Sequence, residues 1–221
     1  MRRVLAVVLL AFGSIAAVAD EYLITTVGCT TYNEVSKLLE EAGLEGSYGE
    51  QIDIKHDSAY GDFYLVLSNR VERETVRIIL HRPQMDTLRA ILAKYLEWEQ
   101  IVITNAVEID KTIPHSVFLV DVNWRFGNDW YDGKNLSLSF DFVSQSKTRH
   151  QLVISSGEIP CLASFHSPRF PTEGETKFYK LNPLYFDKDQ VLSLQKGITP
   201  EAIQKAMDEY IKKKKVENLL Q

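Results

Sequence analysis

Hydrophobic residues recur along this chain with two periods, and the period switches where polar turns intervene. From Gln51 the spacing is two: Ile52-Asp53-Ile54-Lys55-His56 alternates, and Phe63 to Leu67 continues the alternation. Thr75 to Leu80 is a second run of the same kind, and the connection from Ser68 to Glu74 is polar. A hairpin of 62–68 with 75–81 is the expected result. Pro83 then opens a stretch in which Met85, Leu88, Ile91, Leu92, Tyr95, Leu96, Ile101 or Val102, and Ala106 recur at three and four. That spacing predicts a helix over 84–106, with proline tolerated in its first turn. Arg89, Lys94, Glu97 and Glu99 face away from an apolar stripe that another layer has to cover.

Period two returns over 116–165. Phe118, Val120, Val122, Trp124 and Phe126 share one face of a strand, opposite Asp121 and Asn123. Leu136, Leu138, Phe140 and Phe142 repeat the pattern, followed by 151–155 and 159–165 across turns at 144–149 and Gly157. One apolar and one polar face predict a meander covered on one side only. Pro168, Pro171, Gly174 and Pro183 make the next stretch irregular. Thr199-Pro200-Glu201 starts a final helix carrying Ile203, Met207, Tyr210 and Ile211. Earlier, Thr31 and Glu34 fit a capping box that opens a helix over 32–42, ahead of a Gly-rich loop at 43–51. The expected fold class is α+β: a mainly antiparallel meander sheet covered on one face by the long amphipathic helix and the C-terminal helix.

The N-terminus changes the picture of where this fold resides. Arg2 and Arg3 precede an almost wholly apolar run from Val4 to Val18, and Ala17-Val18-Ala19 supplies small residues before the acidic Asp20-Glu21. This is the order of a cleavable secretory signal peptide over 1–19, and the run is short for a bilayer span. The expectation is an exported protein, periplasmic or extracellular, with no stable membrane span after cleavage. Residues 20–221 then form a single α+β domain, with 20–110 as a candidate N-terminal subdomain.

Removing Arg2 and Arg3 from 25 basic residues leaves 23 against 30 acidic ones, a formal charge of −7. Such a balance argues against nucleic acid, because phosphate neutralisation needs clustered Lys and Arg. The lone basic run, Lys212 to Lys215, reads as a solvated helix end. Two cysteines are too few for a disulfide-built scaffold, yet in an oxidising compartment Cys29 and Cys161 are candidates to pair.

Catalytic signatures are weak. Ser144-Gln145-Ser146-Lys147 matches S-x-x-K but sits in a polar turn rather than at the start of a helix. The five histidines, His56, His81, His115, His150 and His166, have no metal-ligand spacing, so no metal is expected. Cys161 and His166 lie five apart on one strand and point to opposite faces. The absence of glycine-rich phosphate loops implies no cofactor. Asp132-Gly133 reads as turn chemistry. Around it, Trp124, Asn128, Asp129, Trp130, Tyr131 and Asp132 combine large rings with amides and carboxylates, a composition suited to recognition. Trp130 and Tyr131 are adjacent, so strand geometry would send one inward and leave the other wet. The function expected is a non-enzymatic binding or interaction module for a protein, glycan or small ligand. Its rivals are an extracytoplasmic hydrolase with dispersed catalytic residues and an envelope assembly or structural factor.

Overall fold

A computed structural model describes residues 21–31, 48–57, 60–69, 74–164 and 175–220. The expected signal peptide and the helix expected at 32–42 lie outside those residues. Four strands come first: β1 (Glu21–Thr31), β2 (Tyr48–Asp57), β3 (Phe63–Asn69) and β4 (Glu74–Leu80). Helix α1 (Arg82–Asn105) follows, then β5 (Lys111–Thr112), β6 (Phe118–Phe126), β7 (Asp129–Ser146), β8 (Arg149–Ser156) and β9 (Glu158–Ala163). The chain ends with β10 (Thr176–Lys180), β11 (Leu184–Phe186), α2 (Lys188–Gly197) and α3 (Pro200–Leu219).

The expected α+β class and antiparallel pairing hold, but the sheet is not an open layer. Its order β7-β6-β4-β3-β2-β1-β11-β8 returns to β7, because β7 also pairs with β8. Eight antiparallel strands therefore close into a barrel, and closure removes the exposed edges an open sheet would leave. Alternation alone could not separate the two cases, since a barrel interior and a single covered face both demand period two. At 18 residues β7 is long enough to serve two neighbours on each edge. Its first half lies between β6 and β9, and its second half between β5 and β8.

An eight-stranded barrel has an interior that side chains alone can fill. Here Val27, Ile54, Leu65, Ile78, Val122, Phe140 and Leu152 fill it, all buried. Helix α1 closes one end. Its buried face holds Met85, Leu88, Ile91, Leu92, Tyr95 and Val102 of the stripe read from the sequence. It also holds Glu99, which was expected to face away and is instead buried where it meets Lys188 Nζ at 2.6 Å. The Tyr95 hydroxyl donates to the His150 carbonyl at 2.9 Å, and Gln84 Nε2 donates to the Leu119 carbonyl at 3.2 Å. Those carbonyls sit at the starts of β8 and β6, so the helix crosses the barrel mouth between them. Burying each large apolar side chain on this face contributes about 1.5–3 kcal/mol.

The C-terminal cover is two helices rather than one. Asp187 and Gln190 form a reciprocal capping box that starts α2, and Thr199 caps α3 by accepting from the Ala202 amide. Gly197 lets α2 approach β1, because a Cβ there would lie 2.6 Å from Thr25. α3 is a looser cover: none of its residues is buried, although Tyr210 stacks on Tyr22 at 5.2 Å between ring centroids.

No disulfide joins Cys29 and Cys161; both are buried as thiols. The pairing read from oxidising export is thereby corrected. Cys29 lies on β1 and Cys161 on β9, which are not neighbours in the sheet, and a disulfide needs Cα atoms within about 7 Å. Burial, and next the Asp132 carboxylate, push the Cys161 thiol up to about 11, so it stays protonated and a poor nucleophile.

Candidate functional site: an outer-wall cleft over β4, β6 and β7

The outward faces of three neighbouring strands build a cleft. The cross-strand register puts Arg77 of β4 opposite Asn123 of β6, and Asn123 opposite Asp132 of β7. Trp130 is two residues before Asp132, on the same face. Ser164, just past β9, is drawn in by its amide, which donates to the Trp130 carbonyl at 2.7 Å. Arg77, Asn123, Trp130, Asp132 and Ser164 line a cleft of about 460 Å³, within the span typical of small-molecule sites.

Its polar groups are partly committed to one another. Asn123 Nδ2 donates to Asp132 Oδ1 at 2.6 Å, which holds the carboxylate against the wall. Arg77 Nη1 pairs with Glu21 Oε1 at 2.8 Å, and its guanidinium carbon lies 5.4 Å from the centre of the Trp130 ring. Cation–π contact of this kind fixes both side chains without consuming every donor. Arg77 Nε is buried and has no hydrogen-bond partner among the described residues. Beside it the Tyr64 hydroxyl is pushed up to about 12, chiefly by burial and then by the Asp57, Asp62 and Glu21 carboxylates, against the pull of Arg77. Tyr64 is therefore a neutral hydroxyl at any physiological pH.

The adjacent aromatics do part company as strand geometry requires. Trp130 points outward and is half-buried, whereas Tyr131 points inward, 1% exposed, with its hydroxyl donating to Glu175 at 2.8 Å. Trp124 also turns inward and packs against Tyr131 and Tyr179. Those two rings belong to the core. Asp129 is buried at the start of β7, and Asn128 is exposed at the hairpin tip beside Gly127, whose φ of +63° makes the turn.

Of the six residues singled out by composition, only Trp130 and Asp132 line the cleft. Asp132-Gly133 is strand, not turn. A Cβ on Gly133 would lie 2.6 Å from Cys161 Sγ and Ile159 Cδ1, so glycine answers to packing there. Arg77, Asn123 and Ser164 were missed. The polar alternation of β6 does place Asn123 outward, but nothing local signals that β4 lies alongside.

No family model, curated protein or solved structure matches this chain. Geometry is thus the sole guide. No His, Cys, Asp or Glu cluster able to hold a metal occurs among the described residues, and no helix among them is long and apolar enough to cross a membrane.

Proposed function

We propose that this protein is an exported binding module that takes a polar ligand, a glycan or a peptide segment, on the barrel wall over β4, β6 and β7. The observation that carries the reading is one cleft of about 460 Å³ in which an indole, a guanidinium, an amide and a carboxylate converge. A flat apolar ring flanked by donors and acceptors suits a sugar face or an extended peptide backbone. No histidine or thiol lines the cleft among the described residues, which supports recognition over acid–base chemistry. The acidic balance of the chain supports an uncharged or zwitterionic ligand over a polyanion.

Glycan and peptide arrays probed with the purified protein, followed by calorimetry on the hits, test the reading. Trp130→Ala and Arg77→Ala should each weaken binding by about 30-fold or more, the scale of a hot-spot residue. Because both side chains are partly solvated, the melting temperature should fall by only about 2–4 °C, equivalent to about 1 kcal/mol at this size. Hits whose affinity is unchanged by both substitutions would place recognition elsewhere on the molecule.

A further inference from the structure

A second, smaller cleft lies at the far end of α1, with chemistry unlike the first. The helix ends at Ala106, which adopts the left-handed conformation at φ 50°, and its amide caps the Ile103 carbonyl. The chain then doubles back, with the Val107 amide donating to the Val102 carbonyl at 3.2 Å. Ser144 pins the returning segment, accepting from the Ile109 amide at 2.8 Å and donating to the Ile109 carbonyl at 2.9 Å. Between the last helical turns and this segment is a cleft of about 190 Å³, lined by Trp98, Ile101, Val102, Ile109, Lys111 and Phe142.

Its floor is apolar and buried: Phe142 is 0% and Val102 4% exposed. Its rim is apolar too, because Ile101 and Ile109 remain 50% and 43% exposed. Solitary exposed aliphatics need no explanation, but these two line one depression that already has hydrophobic walls. One cation stands at the edge. Lys111 Nζ lies 5.2 Å from the centre of the Trp98 ring, and no carboxylate among the described residues pairs with it. Lys94, 5.8 Å from the centre of the same ring, is neutralised by Glu97 at 2.9 Å. The adjacent Asp110 carboxylate is engaged by the Ser144 amide at 2.8 Å.

We propose that this cleft binds a free medium-chain aliphatic carboxylate, the alkyl end laid against Ile101 and Ile109 over the edge-to-face Trp98–Phe142 pair, 6.2 Å between ring centroids, and the carboxylate held by Lys111. The dimensions favour that class. At roughly 30 Å³ per water-sized group the space holds about six such groups, below the volume of a drug-sized site. An alkyl chain can enter while its head stays at the rim. A near-carbon lining rejects polar ligands, since a buried sugar hydroxyl would find no partner. The ammonium selects a carboxylate over a neutral head of the same length.

Octanoate and octanol, titrated separately into the full chain and followed by the Trp98 indole N–H resonance, test the assignment. Octanoate should shift that resonance saturably, with Kd on the order of 0.1–1 mM for a ligand of about ten heavy atoms. Lys111→Gln should weaken octanoate by about 3- to 10-fold and leave octanol unchanged. Ile101→Glu, a helix-compatible change at a half-exposed position, should abolish octanoate binding without altering the fold. Three outcomes would overturn the proposal: no saturable shift, equal octanoate affinity in wild type and Lys111→Gln, or shifts confined to the Trp130 indole. The last would send the carboxylate to Arg77, so the two clefts are judged separately.

Discussion

At the scale of single residues, the outer wall and the interior make opposite demands on neighbouring positions of β7. Gly133 faces inward, and a methyl group there would come within 2.6 Å of both Cys161 Sγ and Ile159 Cδ1 and within 2.9 Å of Val122 Cγ1. Gly133→Ala should cost about 1–3 kcal/mol through overpacking, read as a lower urea midpoint at unchanged m-value. His56 sets a second expectation. Its imidazole lies between Tyr22 and Phe63, at 5.2 and 4.8 Å between centroids, with Nδ1 buried and without a partner among the described residues. Burial lowers its pKa below the ordinary 6.5; the Asp57 and Asp62 carboxylates oppose that shift, and Arg82 adds to it. With the folded value below the unfolded one, the unfolded chain takes up the proton first on acidification. The stability conferred by neutral His56 is thus complete above about pH 6.5 and is lost as pH falls through the depressed folded value. Melting temperatures between pH 7.5 and 5.5 should fall more in wild type than in His56→Asn. Equal slopes would show that His56 does not govern this window.

At the scale of elements, legibility followed from how much of each element's pattern is local. α1 has a stripe of six buried apolar residues, and the β3–β4 hairpin has uninterrupted alternation, so periodicity placed both. β1 was invisible for a physical reason. A bulge between Leu23 and Thr25 shifts the register, so Tyr22 and Val27 are both buried at an odd separation, which breaks period two. β11 has three residues, too few for any period. α2 carries a capping signature at Asp187 and Gln190, but its apolar face is only Val191 and Leu194. The cleft was half legible: alternation separates Trp130 from Tyr131, whereas Arg77 and Ser164 reach it only through long-range pairing. The contact between α1 and α2 gives another prediction. Glu99 is 5% exposed and meets Lys188 Nζ at 2.6 Å, while Lys188 stays 44% exposed. Lys188→Ala strands a buried carboxylate, and should cost about 1–2 kcal/mol, less than the roughly 3–5 of a fully buried pair because water still reaches one side. Adding Glu99→Gln should recover part of that loss in denaturant unfolding. No recovery would show that the cost lies in Lys188 packing rather than charge.

At the scale of the whole molecule, the barrel is closed unevenly. β1 and β2 share a ten-residue register, from Glu21 opposite Asp57 to Thr31 opposite Tyr48. β11, by contrast, meets β1 only through Thr30–Tyr185 and Thr31–Leu184, and meets β8 only from Leu184–Ile154 to Phe186–Leu152. This three-residue strand is the seam of the ring. Local openings cost least where few backbone bonds and few apolar contacts must break together. Amides of 184–186 should therefore exchange at least about ten-fold faster than those of the β3–β4 ladder, where seven residue pairs run from Phe63–Leu80 to Asn69–Glu74. Among the described residues, α2 braces the seam from outside. β11 leads straight into the Asp187 cap and α2, and α2 is tied to the barrel's helical lid by Lys188 and Glu99. Weakening that tie loosens the start of α2 and β11 with it, while the Arg89 Nε bond to the Ile198 carbonyl at 2.8 Å still holds the far end of α2. β6 and β7 are joined by eight residue pairs and do not depend on it. Lys188→Ala should consequently raise exchange at 184–186 and leave the β6–β7 ladder at its wild-type rate. A uniform rise across both regions would instead mean that the barrel opens as one cooperative unit, with no weak seam.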